Sequence, residues 1–556
     1  MLASEMVLAQ VSKPVDVNFE TKVIYADSLN LPQNINVGAL LRLLPELLQR
    51  PGDYILSNYE VQVDKVSVGE AADAVLSVMQ LADIERLEVK NSPASSDLNG
   101  GMSGAINIVL RPVARRGVSG KIAAGTSSES TTMADMLLDY KGEKLTVRGM
   151  AFGENTMQST TKAFTQPMAL DLSAKDWYRS QMARAKIAYA PNGSNRLELT
   201  LTENYIYDKY AYEFVDDIAH AVNGEQQRRT DRVRKTNLNA RLMYVSMLNE
   251  SHQLKLEGQY GYKPVHGWMC DDRNVLLSED CSYNDVFEGV AELTGKWRMR
   301  EGKGAWGYKV GAKGAVMNTN KRVQPEGELT FAYGQLRMKA GAEYEWNEVG
   351  KSDWTGRFVT EWALDQKSVV RLLLNRQLRQ PRMLLQEVGA EYLTNMGWGK
   401  HSLTMNAGAN YCKSSGLPDV TNYLNTNVMA IYQYGIFFVS MTGNLYTWKL
   451  DAEDANAEDY KTYYNMSIMP SLNMRNGWRT AMNVRYYSRV HRHDENLGDC
   501  LSLQMNVGKS WGCWTVYAYG RVPLTGRTKD IDKVNNTIAL SSLVPASCGG
   551  GVSWDF

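Results

Sequence analysis

Histidine and cysteine, the side chains that most readily ligate transition metals, are few in this chain of 556 residues, at six each. His491, His493 and Asp494 form an H-x-H-D run, and imidazoles two apart beside a carboxylate suit copper or zinc. Four ligands are not visible there, an exposed loop is the plainer reading, and no metal is expected. Cys270, Cys281, Cys412, Cys500, Cys513 and Cys548 contain no C-x-x-C pair, which removes support for a zinc ribbon or a thioredoxin-type centre. Cys270 and Cys281 share one polar segment. A short-loop disulfide forms there if the compartment is oxidising, and two free thiols persist if it is not. The sequence holds no H-E-x-x-H, no G-x-x-x-x-G-K-[ST] and no nucleophile elbow. Gly100–Gly104 is Gly-rich but precedes a strand, so it is no phosphate-cradling helix start. No cofactor is expected, and the chain reads as a non-enzyme.

Composition narrows the class. Lys+Arg and Asp+Glu are both 61, so the formal net charge is zero. Nucleic-acid binders carry a basic excess or stripe, and this chain has neither. No stretch of about 18 apolar residues is present, so no transmembrane helix is expected. These totals alone suggest a soluble globular enzyme of about two to four domains. The aromatics disturb that reading, because 30 Tyr and 13 Trp outnumber 10 Phe. Rings with a polar tip suit places that are dry at one end and wet at the other, such as membrane interfaces. The first 15 residues lack a basic n-region followed by an apolar run, so they do not resemble a signal peptide.

The elements that must position these residues change character near Pro112. Before it, Leu40, Leu41, Leu43, Leu44 and Leu47 cluster on one side of a short helix interrupted at Pro45. A second helix is expected over Ala71–Met79, with strands at Ile84–Val89 and Ala105–Leu110. From Val118 to Phe556 apolar and polar residues alternate with period 2, the strand signature. Leu197, Leu199 and Leu201 alternate with Glu198, Thr200 and Thr202. Leu403, Met405, Ala407, Ala409 and Tyr411 alternate with Ser402, Thr404, Asn406, Gly408 and Asn410. The runs are about 9–12 residues long, as a strand tilted across a bilayer requires, against about 5–6 in soluble proteins. Connections alternate in length. Lys141–Lys144, Pro191–Asn195, Met247–Ser251 and Arg475–Trp478 are short, whereas Glu154–Asp176, Tyr207–Arg229, Lys263–Asp285 and Trp448–Lys461 are long. Short turns at one rim and long loops at the other are the pattern of outer-membrane barrels. The expected fold is mainly β, a transmembrane antiparallel barrel of about 22 strands, with a small α+β domain plugging the lumen. The expected division is a tail over 1–33, a plug over 34–115 and the barrel over 116–556. Val552, Trp554 and Phe556 share one face of the last strand.

Four blocks in order, Leu40–Pro45, Ile84–Val89, Asn91–Ala94 and Gly104–Val109, resemble the plug of TonB-dependent outer-membrane receptors, most closely those of Bacteroidota. The turn that is Asp-Gly in the family is Asp64-Lys65 here, and Val15-Asp16-Val17-Asn18-Phe19 is the candidate TonB box. The resemblance implies a bacterial outer-membrane location among outer-membrane lipids, with TonB as the energising partner. It implies that Arg86 and Glu88 lock the plug to charges on the wall; ordinary solvated charge in a wet lumen is the alternative. The plug apex loop, with Ser92, Asp97, Asn99, Gly100 and Gly101, would contact ligand or merely connect two strands. Tyr210, Tyr212, His266, Trp268 and Tyr283, placed on outer loops, are candidate ligand contacts or members of an aromatic belt. Val552, Trp554 and Phe556 resemble the signal read by the barrel assembly machinery. Two functions follow: an importer that moves an external ligand past a plug, or a plugged, non-transporting scaffold for surface lipoproteins or other outer-membrane machinery.

Overall fold

The computed structural model describes residues 15–556, apart from 19–20, 30, 32–34, 42–43, 45–58, 70–71, 73–74, 77–78, 91–103, 114–115, 129–130, 167–169, 215–226, 271–274, 299–303, 319, 349–351, 380–382, 416–421, 450–459, 489, 492–494, 498, 526, 533–536 and 543–545. The described residues form two bodies, a small six-stranded sheet domain and a closed barrel whose wall it touches.

The small domain is a six-stranded sheet. Its strands are β1 (Val15–Asn18), β2 (Thr21–Tyr25), β3 (Tyr59–Val63), β4 (Val66–Ser67), β5 (Ile84–Lys90) and β6 (Gly104–Leu110), in the order β1-β2-β5-β6-β3-β4. All pairings are antiparallel except β3 with β6. A short helix, α1 (Val37–Leu41), covers one face, and Ala72, Val75 and Leu76 are also helical. Ile24, Leu31, Leu40, Leu44, Met79, Leu81, Ile84 and Leu87 are wholly buried, so the aliphatic residues face one another and leave a polar exterior. Each such side chain contributes about 1.5–3 kcal/mol by burial.

The tail expected over residues 1–33 is therefore corrected. Val15–Asn18 and Thr21–Tyr25 are strands of the plug sheet, because Val15, Ile24, Leu29 and Leu31 carry apolar surface that its core buries. The candidate TonB box lies largely in β1, the edge strand of that sheet.

The Asp64-Lys65 turn forms without glycine. Both residues sit in the left-handed region, at φ 49° and 64°. That conformation is costly for residues with a Cβ, by roughly 1–2 kcal/mol each. Hydrogen bonds hold it. Asp64 N–H donates to Ile108 O at 2.9 Å, Lys65 N–H donates to Asn107 Oδ1 at 2.7 Å, and Asp64 Oδ1 accepts from Leu110 N–H at 3.1 Å.

The barrel begins at β7 (Gly117–Ser127) and continues through β8 (Thr132–Lys141), β9 (Leu145–Gln166), β10 (Leu170–Tyr189), β11 (Asn195–Phe214), β12 (Gln227–Met247), β13 (His252–Cys270) and β14 (Leu276–Arg298). It ends at Ser547–Asp555, which pairs with β7 and closes a 22-strand antiparallel wall. Four short strands, Val490–His491, Glu495–Leu497, Arg527–Asp532 and Thr537–Ser542, extend hairpins beyond it. Strands β9 to β14 are longer than the sequence spacing suggests, from 19 to 23 residues. Within the long loops expected at 207–229 and 263–285, Tyr207–Phe214, Gln227–Arg229, Lys263–Cys270 and Leu276–Asp285 are paired strand, because the ladder hydrogen bonds continue past the bilayer.

Alternation sorts the wall. On β11, Leu197 and Leu201 are exposed, while Glu198, Thr200, Thr202 and Asn204 are buried against the lumen contents. Apolar-out and polar-in is the outer-membrane arrangement, and with the apolar band it defines a transmembrane barrel. Trp297, Trp306, Tyr333, Trp362, Trp398, Tyr434, Trp478, Trp511, Trp514 and Trp554 are exposed at the short-turn rim as an aromatic girdle. At the seam, Phe556 N–H donates to Gly120 O at 2.9 Å, and Trp554 stacks on Trp514 with centroids 6.0 Å apart.

Candidate functional site

The site is the lumen: the plug, the wall that grips it and the vestibule above. The wall grips in two ways. Met429, Ile431, Phe438, Met469 and Ala481 point inward from neighbouring strands and join the plug's apolar cluster, as do Met150, Phe152 and Met182 from β9 and β10. Phe438 is wholly buried. Between these patches the contacts are polar. Lys121 of β7 donates to both oxygens of Asp83, at 2.9 and 2.8 Å, and also meets Asp135 at 3.4 Å. Arg184 of β10 donates to Val63 O at 2.8 Å and Val66 O at 3.2 Å, and Lys186 reaches Asp64 at 3.3 Å. Asn204 donates to Val68 O at 3.0 Å. Across the lumen Lys22 of β2 bridges Glu391 at 2.9 Å and Asn406 at 3.1 Å. Buried charges need partners, and these have them.

The lock expected at Arg86 and Glu88 is relocated. Both are on β5, but Arg86 pairs with Glu88 and Glu85 of its own strand, each at 2.8 Å, and Glu88 accepts from Asn107 at 2.9 Å. Burial lowers the Arg86 pKa, yet its two glutamate neighbours outweigh this and raise it. Residues two apart on a strand share a face, so the pair closes on itself. The residues that reach the wall, Asp83, Asp64 and Lys22, stand at a turn, a hairpin tip and an outer strand of the plug. Isolated single charges such as these form no pattern in the sequence that marks them. The apex-loop residues Ser92, Asp97, Asn99, Gly100 and Gly101 lie outside the described residues.

Ion pairs stiffen the lumen wall. Arg241 meets Glu257 at 2.6 Å, Lys255 meets Glu292 at 3.5 Å, and Lys309 joins Glu292 at 3.1 Å to Glu326 at 2.5 Å. Arg371 pairs with Glu391 beside Lys22.

The candidate ligand contacts divide by strand parity. Tyr210 and Tyr212 lie on the same face of β11 as Asn204, which touches the plug, so both face the vestibule, stacked 5.2 Å apart. Asp176 and Asp231 stand opposite Tyr210 in the ladder. His266 and Trp268 of β13 and Tyr283 of β14 share the face of the exposed Tyr260 and Phe287 and point away from the lumen. All five are strand residues, where loops were expected.

The disulfide expected between Cys270 and Cys281 is corrected: all six cysteines are free. Cys281 stands across from His266, while Cys270 stands across from Leu276. The two are offset by four ladder positions, about 13 Å at the strand rise, beyond bridging distance. Of the H-x-H-D run, His493 and Asp494 lie outside the described residues. Among the described residues one donor set gathers, His266, Glu279 and Cys281, with ligand atoms within 4.8 Å of one another; Glu279 already takes His266 Nε2 at 2.6 Å.

A closed 22-strand barrel with an apolar outer band and an inserted sheet domain is a plugged barrel of the outer-membrane kind. No protein-family model and no curated relative matches the chain. Solved structures share its fold. One is a mutant of the ferric enterobactin receptor PfeA from Pseudomonas aeruginosa in complex with enterobactin, with TM-score 0.68, 10% identity and coverage of 97% of this chain and 99% of that one. The FrpB iron transporter from Neisseria meningitidis gives 0.66, 10%, 97% and 99%. The siderophore receptor PirA from Acinetobacter baumannii gives 0.65, 10%, 97% and 98%.

Proposed function

We propose that this protein is an outer-membrane import receptor of the TonB-dependent kind, with the plug as its gate. The observation that carries the reading is the plug's construction. It has its own apolar core, and much of its grip on the wall is polar bonding that water can replace once the plug moves. A ligand enters the vestibule beside Tyr210 and Tyr212, and an energised periplasmic partner of the TonB class pulls on the N-terminal segment, which leads into β1, the edge strand of the plug sheet. Iron chelates are the first ligands to try, since the structural neighbours named above are iron and siderophore receptors. Val552, Trp554 and Phe556, which face outward at the closing seam, serve as the signal for the barrel assembly machinery. The Bacteroidota affiliation rests on the plug motif alone.

Iron-limited growth and uptake of labelled ferric siderophores, with and without the gene and with residues 1–18 deleted, test the proposal. Uptake lost in both strains is expected. If every uptake survives while a surface-lipoprotein complex falls apart, the scaffold reading replaces import.

A further inference from the structure

The outward face of β10 to β13 changes chemistry abruptly along its length. At the short-turn end, the ladder aligns Tyr189, Leu197, Tyr244 and Leu256 in one row across the four strands. The next outward rows are Ile187, Leu199, Leu242 and Gly258, then Ala185, Leu201, Ala240 and Tyr260. These rows are apolar and ring-edged, as lipid tails require. Further toward the long-hairpin rim come Arg179, Tyr207, Arg234 and His266, and beyond them Trp177, Lys209, Arg232 and Trp268. The two zones are joined by rows holding Glu203 and Tyr205.

An apolar band about 25 Å tall, crossed by strands tilted near 45°, takes about ten residues of strand. Counted from Leu197 that band ends at Tyr207. The basic rows therefore stand at the outer headgroup level, on the side that faces lipid. They line a groove of about 500 Å³ bounded by Trp177 at one end and Trp268 at the other. Lys209 Nζ lies 4.7 Å from the centroid of Trp177, and the Arg234 guanidinium lies 6.0 Å from that of Trp268. Among the described residues no carboxylate pairs with Arg179, Lys209 or Arg234. Among the described outward side chains, the acids beside these rows are Glu203, two residues below Tyr205, and Glu279, which is engaged by His266.

We infer that this groove binds the phosphorylated headgroup of an outer-leaflet glycolipid. Four cations spaced over two strand rows match a dianionic phosphate better than a single ion pair would. Guanidinium groups make paired hydrogen bonds to phosphate oxygens. The flanking indoles and phenols suit a sugar face and the start of the acyl chains. The long hairpins matter here: without strand beyond the bilayer there would be no headgroup-level wall to carry the cations. This site lies outside the lumen and stands apart from the import reading.

The full chain in phosphatidylcholine nanodiscs, doped with either bis-phosphorylated lipid A or its enzymatically dephosphorylated form, supplies the test. Native mass spectrometry reads retained lipid. Retention of the phosphorylated form is expected to exceed that of the dephosphorylated form by about tenfold or more, the scale of one or two charge-assisted bonds. The triple variant Arg179→Gln, Arg232→Gln, Arg234→Gln loses this preference. Lys321→Gln, on the same outer rim but distant strands, keeps it. Unchanged heat-modifiable migration shows that each variant is folded. Equal retention of both lipids, or a triple variant that keeps the preference, overturns the inference. So does displacement of lipid by millimolar inorganic pyrophosphate, which would make the groove a site for free phosphates.

Discussion

The plug and the wall put their apolar surface in opposite places. The plug turns Ile24, Leu40, Ile84 and Leu87 inward and shows polar edges. The wall turns Leu197, Leu201, Leu242 and Leu256 outward and keeps Thr202, Asn204, Arg241 and Asn406 inside. Each is stable on its own terms, the plug through a dry core and the wall through a lipid solvent. Where they meet, eight apolar wall residues, Phe438 and Met182 among them, join the plug's cluster, and polar bonds span much of the rest. A gate can use that division, because water can take over the polar share of the grip.

The comparison can be broken most severely at these apolar contacts. Phe438→Ala should weaken plug seating by about 3–5 kcal/mol, the usual cost of removing a buried aromatic ring. Hydrogen exchange of the β5 and β6 amides would show it as faster exchange, while the barrel stays heat-modifiable. Asp83→Asn should cost somewhat less, about 3 kcal/mol, because it removes the nearer of the two carboxylates that pair with buried Lys121. Its exchange effect should concentrate at the Leu81–Asp83 end of the plug. Arg86→Met should change seating by less than about 1 kcal/mol, since the pairing it removes is partly exposed and lies within the plug. An effect as large as that of Asp83→Asn would return the lock to β5. Lys65→Gly should stabilise the plug slightly, by up to about 1 kcal/mol, by relieving a left-handed lysine. Hydrogen exchange of the β3 and β6 amides across a urea series would measure it.

The wall was legible in the sequence because period 2 repeats the same physical demand at every strand. The alternation in Leu197–Thr202 and Leu403–Tyr411 shows the barrel's strands, and the alternation of short and long connections shows its two rims. Strand ends were not legible in β9 to β14. Beyond the bilayer no lipid selects apolar residues, so segments such as Tyr207–Phe214 read as loops although the ladder continues through them. The plug's motif blocks located the domain, yet β1 and β2 escaped because a four-residue and a five-residue strand carry little periodicity. Site residues were least legible. Arg86 and Glu88 stand out in a charged strand, whereas Arg184 and Asn204 look like any inward polar residue of the wall. Only the register shows that they touch Val63, Val66 and Val68. Likewise Trp268 and Tyr210 look alike as aromatic hairpin residues, and strand parity alone sends one to lipid and the other to the vestibule.

The central claim, a plug that folds by itself and closes a barrel that does not need it, is tested most directly by planar-bilayer recording of the full chain. Without denaturant the protein should conduct almost nothing. Moderate urea, which unfolds the plug before the wall, should open large single-channel currents that vanish when urea is washed out. A barrel that conducts freely before urea, or one that stays silent until the wall itself unfolds, would contradict the account.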